Sequence, residues 1–236
     1  MFRAALVPML LVATVLVSPA PVLGQGARLD AASFSLFSNG QRVGREQFSV
    51  QRIQSQEGAV LELRSESATG DRRAAMRLEV DSAGTPVRYS FEERTGAEVT
   101  LRLGGRRVRG RFATLAHSST GEAAREYLLV PNIIALDEEG VMQYALLVRA
   151  RSLEPGGGVT IPTLSPIGSR RGIVRLVLES RKDSVAIGGT RREATRWRAV
   201  TVSGDAILVW ADSDGRMLRV SMASRGFEAF RDDVPR

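Results

Sequence analysis

Apolar and charged residues alternate with a period of two along much of this chain, and this alternation constrains the fold more than any other feature. The clearest runs have their apolar residues at Met76, Leu78 and Val80, and then at Val87, Tyr89 and Phe91. Successive residues of a strand point to opposite faces of a sheet, so each run has one apolar and one charged face. The pattern predicts half-buried strands of an antiparallel sheet.

Turn residues separate these runs at intervals of about 8–12 residues, the spacing of an antiparallel meander. Asn39-Gly40 is typical of a two-residue hairpin turn, because both residues tolerate positive φ angles. We expect further breaks near Gly84, at Gly96 and at Gly104-Gly105. Consecutive strands should therefore pair with each other in a mainly β fold.

One segment in the middle of the chain has the pattern of a helix instead. Between residues 138 and 151 the apolar residues recur at i, i+3, i+4 and i+7, at Val141, Tyr144, Ala145 and Val148. Asp137 is positioned to cap the helix, and flanking acids and arginines complement its dipole. We predict a largely buried helix at about 138–151 that fills the concave side of the sheet.

Proline and glycine are frequent between residues 153 and 172, which predicts an ordered loop or flap rather than a regular element. The loop is unusually apolar, with Ile161, Leu164 and Ile167. Such residues suit a loop that covers the mouth of a cavity, and they equally suit one that covers the edge of a core.

The first 24 residues have the pattern of a secretory signal peptide. Arg3 precedes a short apolar run from Ala4 to Val17, and small residues precede a cleavage site after Gly24. We therefore expect an exported protein, periplasmic or secreted, that is cut near Gly24/Gln25. Residues 25–236 should form a single mainly β domain.

Composition excludes several classes of site. The chain has no cysteine, which excludes disulfides, thiolate catalysis and cysteine zinc sites. His117 is the only histidine, so no metal site can be built from several histidines. The formal net charge is +7, and Lys182 is the only lysine among many arginines that are interleaved with acids. We expect no cofactor, no metal and no nucleic-acid partner.

Three stretches of the sequence resemble exported bacterial domains of the lipoprotein-localisation type: Asn39 to Glu46, Leu136 to Val148, and Val209 to Val220. The resemblance spans most of the chain after the leader and depends on hairpin patterns rather than on a catalytic motif. It implies a curved antiparallel sheet that wraps one helix as an incomplete barrel. The better-known members of that group hold lipid chains in the cavity.

Three functions remain open at this point. The first is a non-enzymatic binding or carrier module for an apolar ligand, a lipid or a lipoprotein acyl chain. Its candidate ligand-binding residues are Tyr89, Phe91, Tyr144, Ile161, Leu164, Ile167, Trp197 and Trp210.

The second function is an envelope interaction or scaffold protein with a packed core. Here Arg107, Arg109 and Arg111 share one outer face that meets an anionic envelope surface. The third is a hydrolase that uses His117 or a pair of carboxylates. The sequence leaves the oligomeric state and the ligand open.

Overall fold

The computed structural model describes residues 26–137, 140–149 and 153–235. The predicted signal peptide lies outside the described residues, as do Glu138, Glu139 and Arg151 of the predicted helix. The first eight strands are β1 Ala27–Ser38, β2 Gln41–Ser55, β3 Gly58–Thr69, β4 Arg72–Val80, β5 Pro86–Thr95, β6 Glu98–Val108, β7 Arg111–Ser118 and β8 Gly121–Leu128. The others are β9 Ile134–Ala135, β10 Gly158–Ser165, β11 Arg170–Ile187, β12 Thr190–Thr201, β13 Ala206–Ala211, β14 Met217–Met222 and β15 Phe227–Arg231.

All fifteen strands belong to one sheet, in the order β8-β7-β6-β5-β4-β3-β2-β1-β15-β14-β13-β12-β11-β10-β9. Neighbouring strands are antiparallel, except that β9 runs parallel to β10. The sheet is not closed, since β8 and β9 form its two edges. The predicted antiparallel meander, curved as an incomplete barrel around a helix, is therefore confirmed. No helix in the described ranges is long and apolar enough to cross a membrane.

The hairpin turns are partly as predicted. Asn39 and Gly40 connect β1 to β2 with φ angles of 49° and 77°, as a type I′ turn requires. The break predicted at Gly104-Gly105 is wrong, because both glycines lie inside β6. A Cβ atom on Gly105 would lie 2.6 Å from the ring of Phe112, so this glycine makes room for a buried aromatic side chain.

The segment 153–172 is not the predicted loop or flap throughout, because residues 158–165 form β10 and β11 begins at Arg170. Proline is tolerated in a strand where the edge is open. Pro162 lies in such a place, since β9 pairs only with Thr163 and Leu164 of β10. Within β10, Ile161 and Leu164 are buried in the core.

The helix is shorter than the predicted 138–151. A 3₁₀ turn at Met142–Tyr144 continues into α1, Ala145–Val148, and Arg149 is already extended. Every residue of these two elements is buried. They belong to the same core cluster as Met76, Leu78 and Phe91 on the concave face of the sheet, so the predicted burial is confirmed.

A second, smaller cluster lies on the convex face. It contains Val185, Ile187, Ala194, Trp210 and Leu218. Trp210 follows Val209, which belongs to the main core, and successive strand residues point to opposite faces. The two tryptophans therefore serve different faces, since Trp197 is part of the main core.

The two halves of the sheet meet where β1 pairs with β15. Arg231 of β15 donates hydrogen bonds to both carboxylate oxygens of Asp30 in β1, at 3.0 and 2.8 Å, and both residues are buried. Arg231 also donates to the carbonyl of Met217, at 3.3 Å, and stacks 5.6 Å from the ring of Phe48. This buried pair connects the first and last strands of the chain.

Asp30→Asn should reduce the free energy of unfolding by about 3–5 kcal/mol, because it leaves the buried charge of Arg231 without its main partner. Asp233→Asn is the matched control. Asp233 also contacts Arg231, at 3.3 Å, but its side chain is 48% exposed, so its loss should cost less than about 1 kcal/mol. Urea unfolding measures both values, and equal losses would contradict this role for Asp30.

Candidate functional site

An open cleft of about 440 Å³ lies between the buried helix and the ends of β10 to β14. Its apolar walls include the buried residues Tyr144, Val174, Ile207 and Met222. The volume is within the range of about 300–1,000 Å³ that is usual for small-molecule pockets. Apolar walls at the mouth of the core make this cleft the best candidate for a binding site.

A larger cleft of about 720 Å³ lies near the other ends of these strands. Its lining includes Arg28, Arg192 and Arg216 together with the Asp30–Arg231 pair. Three of its acids and arginines already bind each other there, since Arg231 contacts both Asp30 and Asp233. Part of the charge that lines this cleft is thus engaged in structural ion pairs at the strand ends.

Asp137 forms part of the floor of the apolar cleft. Its carboxylate accepts hydrogen bonds from the hydroxyl groups of Tyr89, at 2.7 Å, and Ser165, at 2.5 Å, and from the N–H of Ile167, at 3.0 Å. Its own N–H donates to the side-chain oxygen of Gln143, at 2.7 Å. Burial raises the pKa of Asp137 above its usual value, although these hydrogen bonds offset part of the rise. Asp137 is therefore a buried crosslink rather than the predicted helix cap.

Glu46 of β2 takes the role of the cap instead. Its two carboxylate oxygens accept the backbone N–H groups of Val141, at 2.9 Å, and Met142, at 3.0 Å. Burial raises the pKa of Glu46 to about 7, against the opposing effect of these bonds and of a hydrogen bond from Ser65. The helix that forms one wall of the cleft is thus held from a strand 95 residues away in sequence.

Sequence reasoning missed Glu46, although the alternation contains a signal for it. Glu46 lies on the same face of β2 as Phe48 and Val50, whose side chains face the core. An acid at such a position must find partners inside the fold, because an unpaired buried carboxylate is costly. The identity of those partners required the tertiary structure.

Of the predicted ligand-binding residues, Tyr144 lines the cleft and Tyr89 reaches it through Asp137. Ile167 lies in the turn between β10 and β11 and holds Asp137 through its backbone. The others contribute to packing instead, on the concave face for Phe91, Ile161, Leu164 and Trp197 and on the convex face for Trp210. The structure therefore brings together a subset of the predicted residues.

The rim of the cleft was not predicted. Ile173 is 52% exposed and Val202 is 74% exposed, and both line the opening. Arg170, Arg171 and Arg225 lie beside them. Alternation places Ile173 on the same strand face as Arg171 and Arg175, but it does not show which end of the strand meets the cavity.

The predicted outer face of three arginines is not formed. Arg107 is the penultimate residue of β6 and contacts Asp81, at 2.6 Å, and Glu57, at 2.9 Å. Arg109 lies in the turn with a φ of 49°, and Arg111 begins the next strand, β7. A hairpin thus separates residues that were expected on one strand. Whether any of them contacts an anionic surface stays a prediction.

His117 lies on β7, where its Nδ1 atom is 2.9 Å from an oxygen of Glu122 on the edge strand β8. Both side chains are largely exposed. Among the described residues, no group of three or more His, Asp or Glu side chains is arranged to hold a metal ion.

The buried cap predicts a specific dependence of stability on pH. The pKa of Glu46 is about 7 in the folded protein and about 4.5 in the unfolded chain. Between these pH values the folded state therefore binds more protons than the unfolded state. The free energy of unfolding should therefore fall as pH rises from about 4.5 to about 7, by up to about 3 kcal/mol from this group. Urea unfolding across this range measures the slope.

Glu46→Gln should remove this contribution, because glutamine stays neutral at every pH in the range. Glu66→Gln, at an exposed position of the neighbouring strand β3, serves as the control and should keep the slope of the original protein. Identical slopes for the original chain and the Glu46 variant would contradict the assignment.

No protein-family model matches the chain, and no curated protein matches it. The fold is similar to that of a β-barrel-like protein of the domain of unknown function DUF1849 from Brucella abortus, with a TM-score of 0.56 and 11% sequence identity over 86% of this chain and 95% of that one. A DUF1089 family protein from Pseudomonas aeruginosa has a TM-score of 0.42 and 12% identity over 87% of this chain and 95% of that one. The similarity to the Brucella protein shows a shared fold.

Proposed function

We propose that this chain is an exported, non-enzymatic binding module that holds the apolar chain of a lipid or lipoprotein in the cleft beside the buried helix. The observation that carries the proposal is the combination of buried apolar walls, formed by Tyr144, Ile207 and Met222, with the exposed Ile173 and Val202 at the opening. Covering such a rim is favourable, since each Å² of apolar surface removed from water contributes about 25 cal/mol.

The position of these exposed side chains supports the proposal. The large hydrophobic residues exposed in the described ranges are Val108, Leu115, Leu128, Ile173 and Val202. Single exposed apolar residues need no explanation, but two at the mouth of one apolar cleft form a patch that suits a ligand. The remaining three lie elsewhere, on the ends and faces of β6, β7 and β8.

Two features of the sequence supply the cellular setting of this proposal. The leader pattern of residues 1–24 favours export to the periplasm or the medium. The resemblance to domains of the lipoprotein-localisation type favours an acyl chain as the ligand. Both features support the same kind of ligand, because exported envelope proteins encounter lipids and lipoproteins.

The scaffold hypothesis keeps one specific observation in its favour. Most of the concave face is filled by the core cluster, which includes the helix and residues of both sheet halves. A packed interior is what an envelope interaction protein needs, with its function on the outer surface. The two hypotheses differ in whether the remaining cleft binds a ligand saturably.

Titration of the chain with fluorescent fatty acyl probes separates the two. The binding module should show saturable binding, and its affinity should increase about fourfold for each added CH₂ group until the cleft is full, because each buried CH₂ contributes about 0.8 kcal/mol. Ile173→Asp should weaken binding, because it places a charge in the apolar opening.

Leu128→Asp is the matched control, since Leu128 is 53% exposed, nearly the same as Ile173, but lies on the edge strand β8. It should leave binding unchanged. Absence of saturable binding would reject the binding module and favour the scaffold. Equal weakening by the two variants would show that the probe does not occupy the cleft.

A further inference from the structure

The charged groups at the rim of the cleft are mainly positive. Three arginines, Arg170, Arg171 and Arg225, line it together with one acid, Asp205, which lies directly before β13. Asp205 already accepts hydrogen bonds from Ser224 and Ser203, each at 3.0 Å, and lies 3.6 Å from Arg225. These hydroxyl groups and the charge of Arg225 hold the pKa of Asp205 below its usual value. The only rim acid in this lining is thus engaged with one of the three arginines.

The other two arginines begin β11. Arg170 and Arg171 are both exposed and precede Ile173 by three and two residues. Arg170 also interacts within the chain. For Arg171, no ion pair is formed with any residue in the ranges 26–137, 140–149 and 153–235. A guanidinium group beside an apolar opening can bind a carboxylate or phosphate through two parallel hydrogen bonds.

The buried acid of the lining is already hydrogen-bonded within the chain. Both oxygens of Asp137 already accept hydrogen bonds, from Tyr89, Ser165 and Ile167. Burial raises the pKa of Asp137 above its usual value. The three arginines of the lining, Arg170, Arg171 and Arg225, outnumber its two acids, Asp137 and Asp205.

We infer that the ligand is an amphiphile with an anionic head, a carboxylate or a phosphate, which Arg171 binds at the rim with Arg170 beside it, while the apolar chain lies against Tyr144, Ile207 and Met222. This inference rests on the proposed function and adds the chemical class of the ligand and its orientation. The head stays in water at the rim, where its desolvation costs little, and the chain enters the apolar part of the cleft.

Four probes with the same dodecyl chain test this inference: tridecanoate, dodecyl phosphate, the neutral 1-O-dodecylglycerol and dodecyltrimethylammonium. Each is titrated below its micelle concentration against the full chain, with the dissociation constant as the readout. The anionic probes should bind more tightly than the neutral probe, and the cationic probe should bind most weakly. The difference between tridecanoate and dodecyl phosphate distinguishes a fatty-acid head from a phospholipid-like head.

Arg171→Gln should weaken binding of the better anionic probe about threefold to tenfold, as expected for the loss of a partly exposed charge-assisted hydrogen bond. It should leave the neutral probe unchanged. Arg175→Gln removes the same charge from an exposed position of the same strand, outside the lining of the cleft. It should have little effect on either probe.

The outcomes separate the inference from the proposed function. Saturable binding of all four probes with equal affinity would overturn the anionic head and leave the binding module intact. Equal weakening by Arg171→Gln and Arg175→Gln would also overturn it, because only long-range attraction would then act. No saturable binding of any probe would reject the binding module, and the inference with it.

Discussion

A peptide segment inside an apolar core must have its backbone polar groups hydrogen-bonded, and the rest of this structure depends on how that requirement is met. Two acids from distant parts of the chain meet it. Glu46 accepts the first N–H groups of the buried helical segment, and Asp137 connects the segment before the helix to β5 and to the turn after β10. These hydrogen bonds stabilise the short helix inside the sheet, because four to seven residues do not form a stable helix alone.

The position of the helix determines where the core ends and where the cleft begins. The core cluster, which includes the helical segment, fills most of the concave face, and Tyr144 of that segment forms a wall of the space that remains beside the ends of β10 to β14. The pairing of β1 with β15, supported by the buried Asp30–Arg231 pair, keeps the two halves of the sheet continuous. Fold and candidate site are thus two consequences of the same packing arrangement.

The alternation of apolar and charged residues was sufficient to predict the meander, the Asn39-Gly40 hairpin and the inward faces of strands such as β4 and β5. It was insufficient wherever a tertiary contact overrides a local preference. Gly104-Gly105 has the composition of a turn, yet it accommodates the ring of Phe112 within a strand. Asp137 has the spacing of a helix cap, yet Tyr89 and Ser165 provide better-buried partners. The rim of the cleft could not be predicted, because it combines residues from strand ends that are far apart in sequence.

A crystal structure of the chain with bound dodecyl phosphate would test the account most directly. The alkyl chain should lie against Tyr144, Ile207 and Met222, and the phosphate should lie within hydrogen-bonding distance of Arg171. A phosphate in the arginine-lined cleft at the other strand ends, or an alkyl chain on the convex face while this cleft remains unoccupied, would contradict it.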